Sequence, residues 1–249
     1  MPIQPISLKP LPRLGLNWHR SFAEIAWTWA QIAAAMVLVA WKPWTLVIAI
    51  PFIAARQYAL AVLLHDGQHR LLHPRRQVND WIARWILAAP LGADFEASRQ
   101  SHFAHHRYLG NKLLDPDYPI YTGRWARAGG VKAPWGTRVA IHVGIALLLT
   151  LCVAWWAYPV LWLLPLVIAG ILDRLRIKAE HLPDGAFVSH HSNPVERFFL
   201  SPFDMNYHAE HHFNPGIPHY RLRETRASLK AMDLPGEWVG GSYWRSLWG

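Results

Sequence analysis

Eight histidines of this 249-residue chain fall into three short groups: His65 and His69 in HDGQH, His102, His105 and His106 in HFAHH, and His208, His211 and His212 in HAEHH. Within each group the spacing is i to i+3 or i+4, which places the imidazoles on one helical face and within reach of a shared metal ion. Imidazole suits iron, zinc, copper and nickel, so residue type leaves the metal open. The number of ligands is more restrictive. A structural zinc takes four, and these groups supply eight before any helper is added, so two metal ions are expected. Cys152 is the only cysteine. An intrachain disulfide and a cysteine-held cluster are therefore both excluded.

The elements that must position these groups can be read from hydropathy. The chain is 52% hydrophobic with 15 Trp, yet its mean hydropathy is only +0.06, which suits a protein divided between bilayer helices and a polar, basic part. Apolar runs predict spans over about 23–41, 44–64, 139–157 and 160–178. Lys42-Pro43, flanked by Trp41 and Trp44, turns the first pair, and Tyr158-Pro159, near Trp155, Trp156 and Trp162, turns the second. Arg13 and Arg20 precede the first span, Arg70 to Arg99, Arg127 and Lys132 lie between the pairs, and Arg174, Arg176 and Lys178 close the fourth. This bias puts both termini and all three histidine groups on the cytoplasmic side of a membrane, with a bacterial inner membrane as the expected setting.

The fold expected is an all-α integral membrane protein: four transmembrane helices in two hairpins, with a cytoplasmic helical cap, 65–138 and 179–249, that holds a His-rich dimetal site. It forms one domain over 1–249. Trp81 to Ala93 is too short and too interrupted by Arg84 and Pro90 to span, and reads as an interfacial helix. Leu222 to Met232 reads as a short helix. Met1 to Pro12 has no apolar core of a cleavable signal, so the first span is expected to direct insertion. The net charge of +9 flanks apolar segments and forms no compact stripe, which argues for a membrane protein and against nucleic acid as partner.

Three histidine boxes of the forms HxxxH, HxxHH and HxxHH, with HHRYLGNKLLDPDYP after the second and NYHAEHHFNPGIPHYRL around the third, make the chain resemble the membrane fatty acid desaturase and hydroxylase superfamily from the second span to about Tyr220. That resemblance implies two iron ions, dioxygen as co-substrate, and hydrogen abstraction from an acyl or similar chain. It also implies one more histidine near the end of the fourth span, the place of His181 in RIKAEHLP. His190 and His191 are rivals, but His181 directly follows a helix whose direction the membrane sets. Acyl-CoA desaturases of the superfamily carry an Asn one turn earlier, where this chain has Ile177.

Around the ligands, Asp66, Glu180, Asn206 and Glu210 are candidates to hydrogen-bond the distal imidazole nitrogens and fix their tautomers. Arg56 and Gln57 fall inside the second span, where a charge either supports function, as a metal-site prop or a contact to a polar substrate end, or snorkels to the interface. His19, His73, His142 and His219 read as satisfied or solvated histidines rather than ligands.

No haem-binding segment, dinucleotide fingerprint or cysteine cluster is visible, so electrons must come from a separate ferredoxin-like protein or a small cytochrome with its reductase, and a basic face favours an acidic donor. The leading expectation is desaturation of an acyl or amino-acid-like aliphatic, lipid-like chain. Hydroxylation or ketolation of an apolar substrate is the alternative. A membrane zinc hydrolase needs only three protein ligands and a metal transporter would hold its ligands within the spans, so both are remote.

Overall fold

The computed structural model describes residues 15–124, 136–231 and 239–248. Met1 to Pro12, Arg13, Arg127, Lys132 and Met232 lie outside the described residues. The architecture is mostly helical, with two two-residue strands, β1 (Ser189–His190) and β2 (Val239–Gly240), paired in parallel.

Helix α1 (Trp18–Trp41) starts where the Asn17 side chain accepts the Arg20 N–H, satisfying one of the donors a helix start leaves open. It stops at Lys42 because Pro43 cannot continue it. A 3₁₀ turn over Pro43–Thr45 leads into α2 (Leu46–Gln68). Trp18–Trp41 and Pro43–Gln68 are long and apolar enough to cross a bilayer.

Helix α2 is central, packed between α1 and α7 (Leu164–Glu180). Ala54, Ala55 and Ala59 are fully buried along it, and such small side chains let helices approach closely. Ile32 and Val39 of α1, Ile53 and Leu60 of α2, and Leu161 and Trp162 before α7 make the common core, with Trp29 stacked on Trp162 at 5.8 Å.

Helix α6 (Gly136–Cys152) ends five residues before the expected boundary at 157. Both Val153 and Ala154 donate to the Leu149 carbonyl, which closes the helix ahead of Pro159. A π turn over Tyr158–Leu163 then joins α7.

The expected interfacial helix at Trp81–Ala93 is divided differently. Helix α3 (Arg76–Ile82) runs into a π turn at Ala83–Ala88 and stops before Pro90. Its buried face, Ile82, Ala83, Leu87 and Ala88, packs on α2, while Trp81 and Trp85 point outward. Gly67 makes this approach possible, because a Cβ there would sit 2.8 Å from the Ala83 Cβ.

The remaining helices are α4 (Phe95–Tyr108), capped by Asp94, α5 (Tyr118–Tyr121), α8 (Pro194–Phe199), opened by an Asn193/Glu196 capping box, α9 (His208–Phe213), α10 (Leu222–Ala231) and α11 (Tyr243–Trp248). Helix α10 matches the short helix expected from Leu222. His65 at the end of α2, box two on α4, His181 at the end of α7 and box three on α9 are thereby brought to one end of the helix packing.

Candidate metal centre

All nine histidines singled out above converge, and they divide into two groups. His65, His69, His102, His106 and His211 present ligand nitrogens within 4.8 Å of one another, and so do His105, His181 and His212. His208 joins the second group through its Nε2, 3.1 Å from that of His181. Each box therefore contributes to the centre, and boxes two and three contribute to both groups.

The nitrogens face one another at short range. The His106–His102, His211–His106 and His105–His181 Nε2···Nε2 distances are 3.0, 3.1 and 3.1 Å. Two imidazole nitrogens bound about 2.1 Å from one metal ion at a right angle stand about 3.0 Å apart, so the spacing is that of a coordination sphere.

Tautomers strengthen the fit. The His105 Nδ1–H points at the Asp115 carboxylate, 2.9 Å away, and the His181 Nδ1–H at the Ile177 carbonyl, 3.0 Å away. Both partners accept, which engages the Nδ1 side of each ring and leaves the two Nε2 atoms facing each other at 3.1 Å, placed to share a metal ion. His65 adds a second sign: both of its ring nitrogens are buried without a hydrogen-bond partner, a costly state in the absence of a ligand.

Burial first, and then repulsion from neighbouring imidazoles, hold His69, His102, His106, His181, His208, His211 and His212 below the usual imidazole range, to about 3 for His69 and His181. Neutral rings keep the lone pairs that a metal needs.

The surrounding carboxylates sort by helical position. Glu180, fully buried, lies with Oε2 3.2 Å from the His208 Nδ1, a nitrogen that the Arg176 guanidinium also approaches, at 3.3 Å. It also accepts from Arg176 at 2.7 Å and from the Tyr243 hydroxyl at 2.5 Å. Asp66 stays 3.9 Å from the His65 Nδ1 and instead binds His219, whose Nδ1 is 2.8 Å away. Glu210 takes hydrogen bonds from Ser189 and Arg226, and Asn206 donates to the His190 carbonyl at 3.0 Å. All three were expected to orient distal imidazole nitrogens of the ligands, and the hydrogen bonds they make go to His219, to the His190 carbonyl and to Ser189 and Arg226 instead.

His190 points its nitrogens at the Gly241 and Ala179 carbonyls, at 3.2 and 3.1 Å, so it ties the β1 loop to α7 while His181 enters the centre. Arg56 donates to the Phe198 carbonyl at 3.0 Å and lies over the Phe198 ring, which anchors α8 to α2. Gln57 donates to the Trp162 carbonyl at 3.2 Å and borders the cavity over the histidines.

Sequence reasoning missed Asp115 and Tyr121, both in or after the LLDPDYP stretch. The Tyr121 hydroxyl donates to Asp115, and its ring stacks on His181 at 5.3 Å. Although burial pushes the Asp115 carboxyl up, its bonds to His105 and Tyr121 hold it below the usual carboxylate value. The Gly110 N–H also donates to Asp115, at 3.0 Å. Gly110 has a φ of +77° and rests against Gly185, where an added Cβ would meet the Gly185 Cα at 2.7 Å, so the loops after box two and after His181 can meet only as two glycines. Two buried aspartates around a proline just after a histidine box were the available signal. Asp115→Asn is expected to lower metal affinity or turnover 10- to 100-fold, measured as metal content per chain and as rate, because an amide donor replaces one of the two oxygens that accept from His105, Tyr121 and the Gly110 N–H.

The profile of the family described as fatty acid desaturase matches residues 40–138 and 130–239. The chain belongs to this family. Among similar proteins, a beta-carotene ketolase of Paracoccus sp. (strain N81106 / MBIC 01143) is 30% identical over 67% of this chain and 73% of its own length. The human sphingolipid delta(4)-desaturase/C4-monooxygenase is 27% identical over 88% of this chain and 75% of its own. The dihydrorhizobitoxine desaturase of Bradyrhizobium elkanii is 27% identical over 90% and 78%. Desaturases, monooxygenases and ketolases share one reaction type, so this desaturase-family member is an oxidoreductase.

His219 was expected to be an ordinary satisfied histidine, and it is satisfied in an unusual way. Its Nδ1 meets Asp66 and its Nε2 meets Glu24, each at 2.8 Å, tying α1 to the end of α2. Burial lowers its basicity, but the two carboxylates outweigh this and push it up to about 9. A folded pKa above the unfolded value of about 6.5 means that the stabilisation is complete below pH 6.5 and is lost as pH rises through 9. Apparent thermal stability should fall by roughly 3 kcal/mol across that window, and His219→Gln should flatten the pH profile.

Proposed function

We propose that this protein is an integral membrane desaturase that uses two iron ions and dioxygen to remove hydrogen from an aliphatic, lipid-like chain. The observation that carries the proposal is the convergence of nine histidines into two groups, with the Nε2 atoms of His105 and His181 facing each other at 3.1 Å while Asp115 and the Ile177 carbonyl hold their Nδ1 sides. His65, His69, His102, His106 and His211 would hold one ion, and His105, His181, His208 and His212 the other. When bound, the ions supply dioxygen activation against an unactivated C–H bond.

The chain's own residues do the rest. Asp115, through His105, and the Ile177 carbonyl, through His181, fix which nitrogen faces inward. A cavity of about 510 Å³ between α2, α4 and α7 reaches His65, His102, His105, His181 and His208. Buried walls keep bulk water from the reacting carbon. Desaturation removes two hydrogens from substrate and reduces dioxygen to two waters, which takes two further electrons and two protons. An external donor, a ferredoxin-like protein or small cytochrome with its reductase, supplies the electrons, and the basic polar face favours an acidic one.

The four-span arrangement is supported by outward apolar stripes on the second pair as well as the first. Val139, Val143, Leu147 and Leu151, four residues apart along α6, are 46–84% exposed, as are Val47 and Ile48 near the start of α2 at 79% and 69%. Such a surface on several helices suits lipid. Trp41, Trp44 and Trp155 stand outward by the two turns, at the level of an interface belt. Both termini and the histidines then share the cytoplasmic face.

Hydroxylation or ketolation is the second reading, favoured by the likeness to a ketolase and a desaturase/monooxygenase. Membranes holding the protein, supplied with a reductase system and analysed by mass, decide between them. A loss of two hydrogens from substrate is the expected product, and a gain of one oxygen selects the second reading. Zinc without iron in the purified protein, together with activity that needs neither oxygen nor reductant, would overturn both.

A further inference from the structure

The histidines of the centre are not equally sealed. His105, His181, His208 and His211 are at most 4% exposed, whereas His69, His102 and His106 are half-buried. Phe103 stands over this more open side. Its ring lies 5.5 Å from the ring of His69 and 6.3 Å from that of His102, and it is itself 44% exposed. A body resting on Phe103 is therefore one aromatic ring away from two of the histidines assigned to the first ion.

Cations surround this ring without acids to neutralise them. Along α4 the exposed positions Gln100, Phe103 and Arg107 are three and four residues apart, so they share one face. Arg70 directly follows His69, is exposed, and holds a φ of +62°, a conformation that favours glycine. Lys112, Leu113 and Leu114 are exposed in the turn that leaves α4. No Asp or Glu occurs in 67–79 or in 97–114, the stretches that carry His69 and box two. Among the described residues Arg70 and Lys112 have no ion-pair partner, and the Arg107 guanidinium lies over the neighbouring Tyr108 ring at 5.3 Å. Arg99, four residues before Phe103, is by contrast buried and paired with Asp80.

An exposed aromatic ring beside unpaired arginines has the composition of a protein-docking site, where aromatic residues and Arg are enriched. Lipid is the poorer match. A helix lying in a bilayer surface presents a broad apolar face, and the exposed face of α4 presents one apolar ring between Gln100 and Arg107. We infer that this face of α4, centred on Phe103 and Arg107 with Arg70 and Lys112 from the adjoining turns, is where a small acidic electron-carrier protein docks. This rests on the desaturase reading and names the surface that its electron donor uses. Carboxylates on the carrier are drawn to the unpaired cations, which steers its approach, and Phe103 supplies the contact that excludes water at the middle. Each docking passes one electron from the reduced carrier to the centre beneath Phe103 and leaves the carrier oxidised by one electron. Two dockings supply the two electrons that, with two protons and the two hydrogens of the substrate, convert one dioxygen into two waters.

The test is binding of the iron-loaded protein, in nanodiscs of neutral phosphatidylcholine, to two acidic probes, a plant-type [2Fe–2S] ferredoxin and a soluble b-type cytochrome domain. At least one should bind saturably and lose affinity steeply as salt rises. Phe103→Ala and Arg107→Glu should each weaken that binding at least about tenfold. Arg245→Glu, which reverses an exposed cation on α11, should change it less than about twofold. On the unaltered chain, carbodiimide coupling of carrier carboxylates to lysine should mark Lys112 ahead of Lys42 and Lys178. Binding by neither probe, Arg245→Glu matching Arg107→Glu, or coupling at Lys42 or Lys178 instead would overturn the inference. Arg107→Glu lowering attachment to anionic vesicles while leaving carrier binding unchanged would make a lipid surface the occupant. The coupling uses the unaltered chain, so it decides even if a variant fails to fold. Iron content and oxygen uptake driven by a small chemical reductant, both expected unchanged in Arg107→Glu, keep the two readings apart. A preparation that holds iron and consumes oxygen with that reductant but gives any of the overturning results refutes this inference alone.

Discussion

Replacing His211 with alanine is expected to strip metal from the centre and lower turnover more than 100-fold, while the protein still inserts and keeps its helix content. The reason lies in its position. His211 is 1% exposed, its Nε2 is 3.1 Å from that of His106, and its ring stands 4.3 Å from the ring of His65. It comes from α9 to a group otherwise built from α2 and α4, so the first group has no other contribution from box three. Loss of an outer hydrogen-bond partner alone costs a metal site 10- to 100-fold, and loss of a ligand should exceed that. His105→Ala should behave likewise, since it removes the ring nitrogen that faces His181 at 3.1 Å.

His142→Ala supplies the contrast. His142 bonds the Tyr158 hydroxyl at 2.8 Å and borders Gly92, so its loss should cost about 1 kcal/mol of stability and leave metal content unchanged. Metal analysis and oxygen uptake on the three variants provide the check, and full activity in either His211→Ala or His105→Ala would defeat the ligand assignment.

The centre was legible in the sequence wherever a helix fixes spacing. Histidines three and four residues apart share a face whatever the rest of the chain does, so the boxes could be read as combs before any fold was known. His181 needed more: it depends on where α7 ends, and the family resemblance supplied that. The first helix pair was legible too, because a long apolar run has few alternatives and Pro43 ends α1.

Partners brought together across long stretches of chain were not legible. Asp66 sits beside a ligand in sequence, yet its partner is His219, 153 positions away. The Tyr243 hydroxyl comes from the last described helix to bind Glu180. Nothing local marks such pairs, since polar residues in a cap have many possible neighbours and only packing selects one. Asp115 is an intermediate case. It lies ten residues after His105 and its loop is short, but the turn that returns it depends on the Gly110–Gly185 approach, which no single segment reveals.

Glu180 shows how the same packing joins the metal centre to stability, and its replacement should give the largest folding effect in the molecule. Glu180→Ala is expected to destabilise the protein by about 3–5 kcal/mol, the cost of leaving a buried charge without its partner. Arg176 is 7% exposed, and its Nε–H donates to Glu180 at 2.7 Å. Without the carboxylate its side-chain partners among the described residues are the Tyr58 hydroxyl at 3.2 Å and the His208 Nδ1 at 3.3 Å. Burial pushes the Glu180 carboxyl up to about 7 even with Arg176 opposing, so the pair is already held at considerable desolvation cost. Glu180→Gln keeps the size and one acceptor, and should lose less stability than alanine while still loosening His208, which faces the carboxylate at 3.2 Å. Apparent melting temperature and metal content measured together separate the two roles. If both substitutions lower stability but only in proportion to one another, with metal content unchanged, Glu180 supports Arg176 alone. If glutamine keeps most of the stability and still loses metal from the second group, Glu180 orients His208.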